Sequence, residues 1–287
     1  MSETKDLIWS DTDIPYMCLV DIKRTEAFRK AIQQVVKPGS VVVDIGSGTG
    51  IFALFAAEAG ASKVYAVEIE HQLATCIRQS VEVSQYKDII EVVEGDALEA
   101  NLPENIDVVI AEIIETGLMD EMQVPVMNAL HQKGIIGPDT KVIPQRYQTN
   151  LELVNVNDTF YGHVIKAPKH IWPHYGLNQD EWAQAKVTVL SSKVTTVDLN
   201  LEKDVNDVNF DKTLSFTVQA SDKPINAVLI SGLMTLTDGI EMREGNSVNG
   251  DKILSLPKEI TANAGQVDAH ITYKMGAGLG TFKFEIA

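Results

Sequence analysis

The sequence predicts an α/β fold with a doubly wound parallel sheet, followed by a mostly β region. The run VVVDI at 41–45 is continuously β-branched or apolar, which is typical of a strand covered on both faces. Strand-like and helix-like segments alternate up to about residue 143, as in βαβ units. Beyond that point apolar residues alternate with polar ones, and Gly, Asn and Asp separate the runs. We therefore expect two domains, residues 1–143 and residues 144–287.

Apolar residues at helical spacing predict the helices of the first domain. RTEAFRKAIQQVV at 24–36 forms a helix that the following KPG ends. Two further helices are expected, in TGIFALFAAEAG and HQLATCIRQSVEVS. The strands between and after them are expected in VVVDI, KVYAVEI, IIEVVEG and IDVVIAE.

The second domain is predicted from strand-like alternation in LSFTVQ at 214–219, AVLISG at 227–232 and FKFEI at 282–286. Several short strands with turn residues between them favour a barrel or a sandwich. We expect a β-barrel-like domain that acts as a substrate-binding or lid domain.

Composition and charge exclude several classes of function. The formal net charge is −16, and no run of Lys and Arg stands against it, so we expect no nucleic-acid partner. The N-terminus lacks a secretory signal and no apolar run is long enough for a membrane span, so a membrane partner is not expected. Cys18 and Cys76 are too few for a disulfide framework, which favours the cytoplasm. Pro173 between His170 and His174 argues against a metal site there.

The turn after the first strand carries Asp44 and the alternating glycines Gly46, Gly48 and Gly50. A dinucleotide-binding turn has a different glycine spacing, with its third glycine where Ile51 stands, and Asp44 would repel a pyrophosphate. S-adenosylmethionine has no phosphate, and its α-ammonium is a partner for a carboxylate. The pattern therefore favours S-adenosylmethionine as the cofactor over NAD.

Two further acids follow the next two strands. Glu68 ends the second strand, where a carboxylate accepts hydrogen bonds from the ribose hydroxyls of a nucleotide. Asp96 ends the third strand and is placed to meet the adenine amino group. Glu68 alone fits NAD equally well, so the ordered set of Asp44, the glycines, Glu68 and Asp96 carries the prediction.

At these residues the chain resembles the protein arginine methyltransferases. VVVDIGSGTGIFALFAAEAGASKVYAVE is similar to the family's first motif and its ribose-binding strand, and GIIGPDTKVIPQRYQ to the exit into its β-barrel. RTEAFRKAI is similar to the preceding helix, whose arginine, here Arg24, clamps the cofactor carboxylate. The resemblance implies a Rossmann-like methyltransferase domain and covers roughly residues 16–150.

The segment AEIIETGLMDEM resembles the double-glutamate loop of that family, with Glu112 and Glu121 nine residues apart. The resemblance makes both glutamates catalytic residues of the acceptor site. Two carboxylates bind a planar guanidinium through charge-assisted, bidentate hydrogen bonds. We therefore expect methyl transfer to an arginine of a protein or peptide, or to another cationic nitrogen.

The chain departs from the family in three places. Ile113, Glu115 and Thr116 replace an aromatic residue, Gly and Tyr; Glu115 is either a third acid of the acceptor pocket or a solvated residue. The Thr-His-Trp loop of the family is not found, and its helical dimerisation arm is reduced to LNQDEWAQAK, although a homodimer is still expected. A small-molecule acceptor, or a protein that binds S-adenosylmethionine without catalysis, are the alternatives.

Overall fold

The computed structural model describes residues 13–104, 106–171, 186–203 and 206–286. The chain forms two compact units, Met1–Glu112 with Lys133–Ile143, and Ile113–Gln132 with Pro144–Ala287. The sequence predicted a single division, at residues 143 and 144. The grouping differs from it at Ile113–Gln132, which follows Glu112 and belongs to the β-rich unit.

The first unit contains a five-stranded parallel sheet in the order β3-β2-β1-β4-β5. Its strands are β1 (Val41–Ile45), β2 (Lys63–Glu68), β3 (Ile90–Glu94), β4 (Val108–Ala111) and β5 (Lys141–Ile143). The chain order reverses at β1, because β2 and β3 lie on one side of it and β4 and β5 on the other. The predicted α/β sheet is confirmed, and this reversal is where such sheets bind ligands.

The helices of the first unit connect or precede these strands. They are α1 (Asp13–Val20), α2 (Ile22–Val35), α3 (Ile51–Glu58) and α4 (His71–Glu82). The sequence did not predict α1, in which polar and apolar residues do not segregate to two faces. α2 begins at Asp21, whose side chain accepts a hydrogen bond from the Arg24 amide at 3.1 Å.

Apolar packing joins α2 to α3, and α3 to β1. Val42 and Val43 of β1 are fully buried, as the β-branched run predicts. Phe28 of α2 and Phe52 of α3 stack with ring centroids 4.6 Å apart. The carboxyl end of β1 is therefore held rigidly at the level where the glycine turn begins.

The second unit contains α5 (Gln123–Gln132) and strands β6 to β17. Its larger sheet has the order β10-β6-β13-β15-β9, with β11 paired to β6 and β14 to β13; a smaller one has the order β12-β16-β17. The bounds are β6 (Arg146–Val156), β7 (Thr159–Phe160), β8 (His163–Val164), β9 (Lys169–Ile171), β10 (Val187–Val189), β11 (Val194–Asn200), β12 (Asn209–Val218), β13 (Ile225–Thr237), β14 (Ile240–Arg243), β15 (Asp251–Ile260), β16 (Gly265–Lys274) and β17 (Lys283–Ile286).

The predicted β-rich second region is confirmed, but a closed barrel is not: the described strands form separate open sheets. β7 and β8 pair only with each other. His174 and residues 177–185, where the reduced dimerisation arm was expected, lie outside the described residues. None of the described helices combines the length and the apolar character that crossing a bilayer requires.

Candidate active site

The glycine turn after β1 requires glycine at each alternating position. Gly46, Gly48 and Gly50 have φ values of +68°, +54° and +79°. A Cβ on Gly50, the N-cap of α3, would lie 3.0 Å from Cγ2 of Ile77, so Ile77 would have to shift to accept a side chain there. A Cβ on Gly48 would lie 3.6 Å from that of Pro15, which shows that α1 covers the turn.

Asp44 lies in β1 just before this turn and is almost fully buried. Its Oδ2 accepts a hydrogen bond of 2.9 Å from the Ser47 hydroxyl. Burial, with a smaller contribution from the charge of Glu68, raises the pKa of Asp44 to about 7 against the hydrogen bonds from Ser47 and the Ala53 amide. Its Oδ1 is buried and accepts no hydrogen bond from the described residues. A cationic group at this carboxylate would therefore be stabilised.

Glu68 ends β2, as expected, and its carboxylate binds the glycine turn. Oε2 accepts a hydrogen bond from the Gly48 amide at 2.8 Å, and Oε1 accepts one from the Glu70 amide at 2.9 Å. Each carboxylate oxygen has a second lone pair for a hydroxyl donor. Glu68 therefore both shapes the glycine turn and keeps acceptor capacity for a ribose.

Asp96 follows β3, the strand next to β2 in the sheet. The residue is exposed, and its Oδ1 accepts a hydrogen bond from the Leu98 amide at 2.8 Å. Because neighbouring parallel strands end at one edge, Asp96 and Glu68 lie at the same edge of the sheet. The predicted contact of Asp96 with adenine stays a prediction.

Arg24, in the first turn of α2, is buried and makes an ion pair with Glu112. Its Nη1 also donates a hydrogen bond to the carbonyl of Cys18 at 3.3 Å. The guanidinium lies 5.4 Å and 5.3 Å from the ring centroids of Phe28 and Phe52. Burial acts to lower the pKa of Arg24, but Glu112, Cys18 and Asp21 together outweigh it, and the pKa lies above its ordinary value.

Glu112 directly follows β4, the strand that pairs with β1 on the side away from Glu68. Its side chain is 7% exposed. The sequence assigned Arg24 to the cofactor and Glu112 to the acceptor as separate groups. The structure brings the two into direct contact, so the charge of each depends on the other.

Glu121, the second glutamate of the predicted pair, belongs to the second unit, just before α5. Its side chain is partly buried. Glu115 is not a solvated acid: it is buried and makes an ion pair with Lys252 of β15. Sequence reasoning missed Lys252, because it follows Asp251 at the start of the run ILSL, where a lysine gives no sign of burial.

The residues of the first unit fit the amino-acid end of S-adenosylmethionine. Asp44 supplies a buried carboxylate oxygen without a partner for an ammonium, and Arg24 Nε is a buried donor without a hydrogen-bond partner among the described residues. One acceptor and one donor match the opposite charges of a zwitterion. Glu68 and the glycine turn supply the remaining polar groups of the site.

Comparisons with known proteins agree with this fit. The family model for ribosomal protein L11 methyltransferase (PrmA) matches residues 23–157. An uncharacterized protein of Methanocaldococcus jannaschii is 27% identical over 94% of this chain and 95% of its own length. Protein arginine N-methyltransferase 6 of Danio rerio is 28% identical over 78% of this chain, which spans 62% of that enzyme.

The fold is also similar to solved structures. The Trypanosoma brucei PRMT1 enzyme–prozyme complex with AdoHcy superposes with a TM-score of 0.74 at 20% identity, covering 90% of this chain and 87% of that one. This likeness supports the two-part architecture, an α/β methyltransferase domain with a β-rich second domain. Family model, relatives and fold together identify the chain as an S-adenosylmethionine-dependent methyltransferase that resembles the protein arginine methyltransferases.

Proposed function

We propose that this protein transfers the methyl group of S-adenosylmethionine to a guanidinium, or to another cationic nitrogen, of a protein or peptide. The observation that carries the proposal is Glu112. Its carboxylate follows β4 at the carboxyl edge of the sheet, is buried, and already binds the guanidinium of Arg24. This position therefore stabilises a planar cation, which is the chemistry that an arginine acceptor requires.

The cofactor half of the proposal assigns a role to each residue of the first unit. Asp44 holds the α-ammonium, Arg24 the carboxylate, Glu68 the ribose hydroxyls and Asp96 the adenine amino group. When bound there, S-adenosylmethionine supplies an electrophilic methyl group on a sulfonium. Gly46, Gly48 and Gly50 let the methionine chain lie against the backbone, which fixes it for an in-line displacement.

The acceptor half rests on charge. Methyl transfer is a displacement in which nucleophile, methyl and sulfur must be in line, so the protein contributes chiefly by positioning. Carboxylates that bind one side of a guanidinium draw its positive charge there and leave the attacking nitrogen richer in electrons. We propose that Glu121, the second glutamate predicted for the acceptor site, adds negative charge that favours a cationic acceptor.

Arg24 connects the proposed cofactor site with the proposed acceptor site. Its Nη2 binds Glu112 and its Nη1 binds Cys18, whereas Nε has no hydrogen-bond partner among the described residues. A guanidinium has five N–H donors, so it can hold a ligand carboxylate and Glu112 together. We propose that the cofactor carboxylate, when bound to Arg24, shares its positive charge with Glu112. Glu112 is then less fully neutralised, so cofactor binding makes the acceptor site more negative.

The test is methyl transfer from labelled S-adenosylmethionine to two acceptors, an arginine-rich Gly-Arg peptide and the same peptide with lysines in place of arginines. We expect label on the arginine peptide, released as methylarginine after acid hydrolysis. A cell extract, separated into protein and small-molecule fractions after the reaction, serves as the second substrate. Label confined to the small-molecule fraction would replace the proposal with a small-molecule acceptor.

A further inference from the structure

A buried cluster of three charges lies inside the second unit. The ammonium of Lys252, on β15, contacts the carboxylate of Glu115 and lies 2.6 Å from Oδ2 of Asp120. The side chains of Lys252 and Glu115 are 2% and 6% exposed, and that of Asp120 is 21% exposed. Lys252 therefore contacts both ends of the segment 115–120, Glu115 and Asp120. Glu121 directly follows this segment.

Each carboxylate also binds backbone amides. The Asp120 amide donates to Oε2 of Glu115 at 3.1 Å, which closes the segment on itself. Oδ1 of Asp120 accepts from the Leu279 amide at 2.6 Å. The carbonyl of Met119 accepts from the Gly278 amide at 2.9 Å, so the segment is bound to residues 278–279 as well as to β15. The cluster therefore binds the segment 115–120 to β15 and to residues 278–279, and it is not a solvated acidic patch.

The charge balance makes Lys252 the necessary member. Burial lowers the pKa of Lys252 to about 7. The carboxylates of Glu115 and Asp120, which contact the ammonium, oppose this and favour the charged form. Without the ammonium, two carboxylates that share a buried site repel each other, and one of them must protonate or move into solvent. Movement of Asp120 would carry Glu121 with it, because the two residues are adjacent in the chain.

We propose that Lys252 is a positioning residue for Glu121: it neutralises Glu115 and Asp120 and fixes the segment that presents the acceptor glutamate. Glu115 is then engaged by Lys252 and is not a third acceptor-binding acid. This inference rests on the proposed function, since it takes Glu121 as the acceptor carboxylate. It adds a lysine that the sequence comparison with arginine methyltransferases did not assign.

The experiment compares Lys252→Met with wild type in steady-state transfer from labelled S-adenosylmethionine to the Gly-Arg peptide. Assays are run at pH 7, because a higher pH would deprotonate Lys252 itself; His170, its cross-strand neighbour, is neutral there because burial lowers its pKa. We expect kcat to fall about 10-fold or more, the scale of a small displacement of a reacting group, with unchanged affinity for the cofactor. Lys193→Met is the matched control. Lys193, in the same unit, is 43% exposed and its Nζ lies 3.7 Å from the Glu152 carboxylate.

A rescue separates positioning from mere stability. Adding Glu115→Gln to Lys252→Met removes the repulsion, so the double variant is expected to recover part of the lost kcat. A kcat of Lys252→Met equal to wild type, or no recovery in a double variant that folds, would overturn the proposal. Should Lys252→Met not fold, Lys252→Gln, which also removes the charge but keeps a polar end, takes its place, and an unchanged kcat there has the same meaning.

Amide hydrogen exchange tests the inference without any activity. In Lys252→Met we expect the Asp120 and Leu279 amides to lose protection while the amides of β6 keep theirs. Unchanged protection at both amides would overturn the proposal. If Lys252→Met loses protection at these amides but the wild-type protein transfers no methyl to the peptide, Lys252 still fixes the segment. The proposed acceptor is then contradicted instead.

Discussion

Replacing Asp44 with Asn is expected to stabilise the ligand-free protein and weaken its binding of S-adenosylmethionine. The buried carboxyl has a pKa of about 7 instead of 3.8. Since one pKa unit corresponds to about 1.4 kcal/mol, the ionised group costs about 4 kcal/mol at pH values above 7. Asn keeps an acceptor for Ser47, but its hydrogen bond is no longer charge-assisted. The weaker bond reduces the expected gain in stability by about 1–2 kcal/mol.

The pH dependence follows from the direction of the pKa change. An acid whose pKa is raised by folding binds more protons in the native state, so its contribution to stability falls as the pH rises from about 4 to about 7. We therefore expect Asp44→Asn to raise the free energy of unfolding by about 2–3 kcal/mol at pH 8 and by much less at pH 4.5. Urea denaturation at the two pH values measures the difference.

Two results would contradict these roles of Asp44. If Asp44→Asn changes the free energy of unfolding equally at both pH values, burial does not penalise the carboxylate. If cofactor affinity is unchanged, the carboxylate does not hold the ammonium. Asp198→Asn is the control, because Asp198 pairs with Arg146 at the surface and its pKa is lowered. That variant is expected to lose a little stability at pH 8 and to bind the cofactor normally.

Three further substitutions test the frame of the site. Glu68→Ala is expected to weaken S-adenosylmethionine binding by about 1–3 kcal/mol in calorimetry, and NAD binding in its place would contradict the cofactor assignment. Gly50→Ala forces a side chain into a left-handed φ of +79° against Ile77 and is expected to cost about 1–2 kcal/mol in urea denaturation. Tyr147→Phe removes the hydroxyl that donates to buried Glu244 at 2.6 Å and accepts from the Gly117 amide at 3.0 Å. A loss of about 1–3 kcal/mol is expected, and a neutral effect would contradict its role in holding the glutamate loop.

Most of the first unit could be predicted from the sequence because its signals are local. A β-branched run, three alternating glycines and an acid at each strand end mark β1, the turn and the sheet edge without long-range information. α1 was missed because its residues DIPYMCLV have no amphipathic spacing, and its contacts with the glycine turn come from tertiary packing.

The glutamate loop shows where local reasoning fails. The pairing of Glu112 with Glu121 stays a prediction, but their spacing did not indicate that Glu112 binds Arg24, 88 residues earlier. Glu115 has its partner at Lys252, far along the chain. Such pairings are set by strand order and register, which the alternation of apolar residues does not encode.

The barrel-like second domain was predicted by family analogy and from strand-like alternation alone. Alternation gives the inward and outward faces of a strand but not whether the last strand pairs with the first. The described strands of the second unit form open sheets instead, with β12, β16 and β17 forming their own.

The most direct test of the account is the turnover of Glu121→Gln with labelled S-adenosylmethionine and the Gly-Arg peptide. Gln keeps the size and much of the hydrogen bonding of Glu121 and removes only its charge. We expect a fall in turnover of about 100-fold or more, the scale of losing one preorganised electrostatic partner, with cofactor affinity nearly unchanged. Near-normal turnover in this variant would contradict a cationic acceptor.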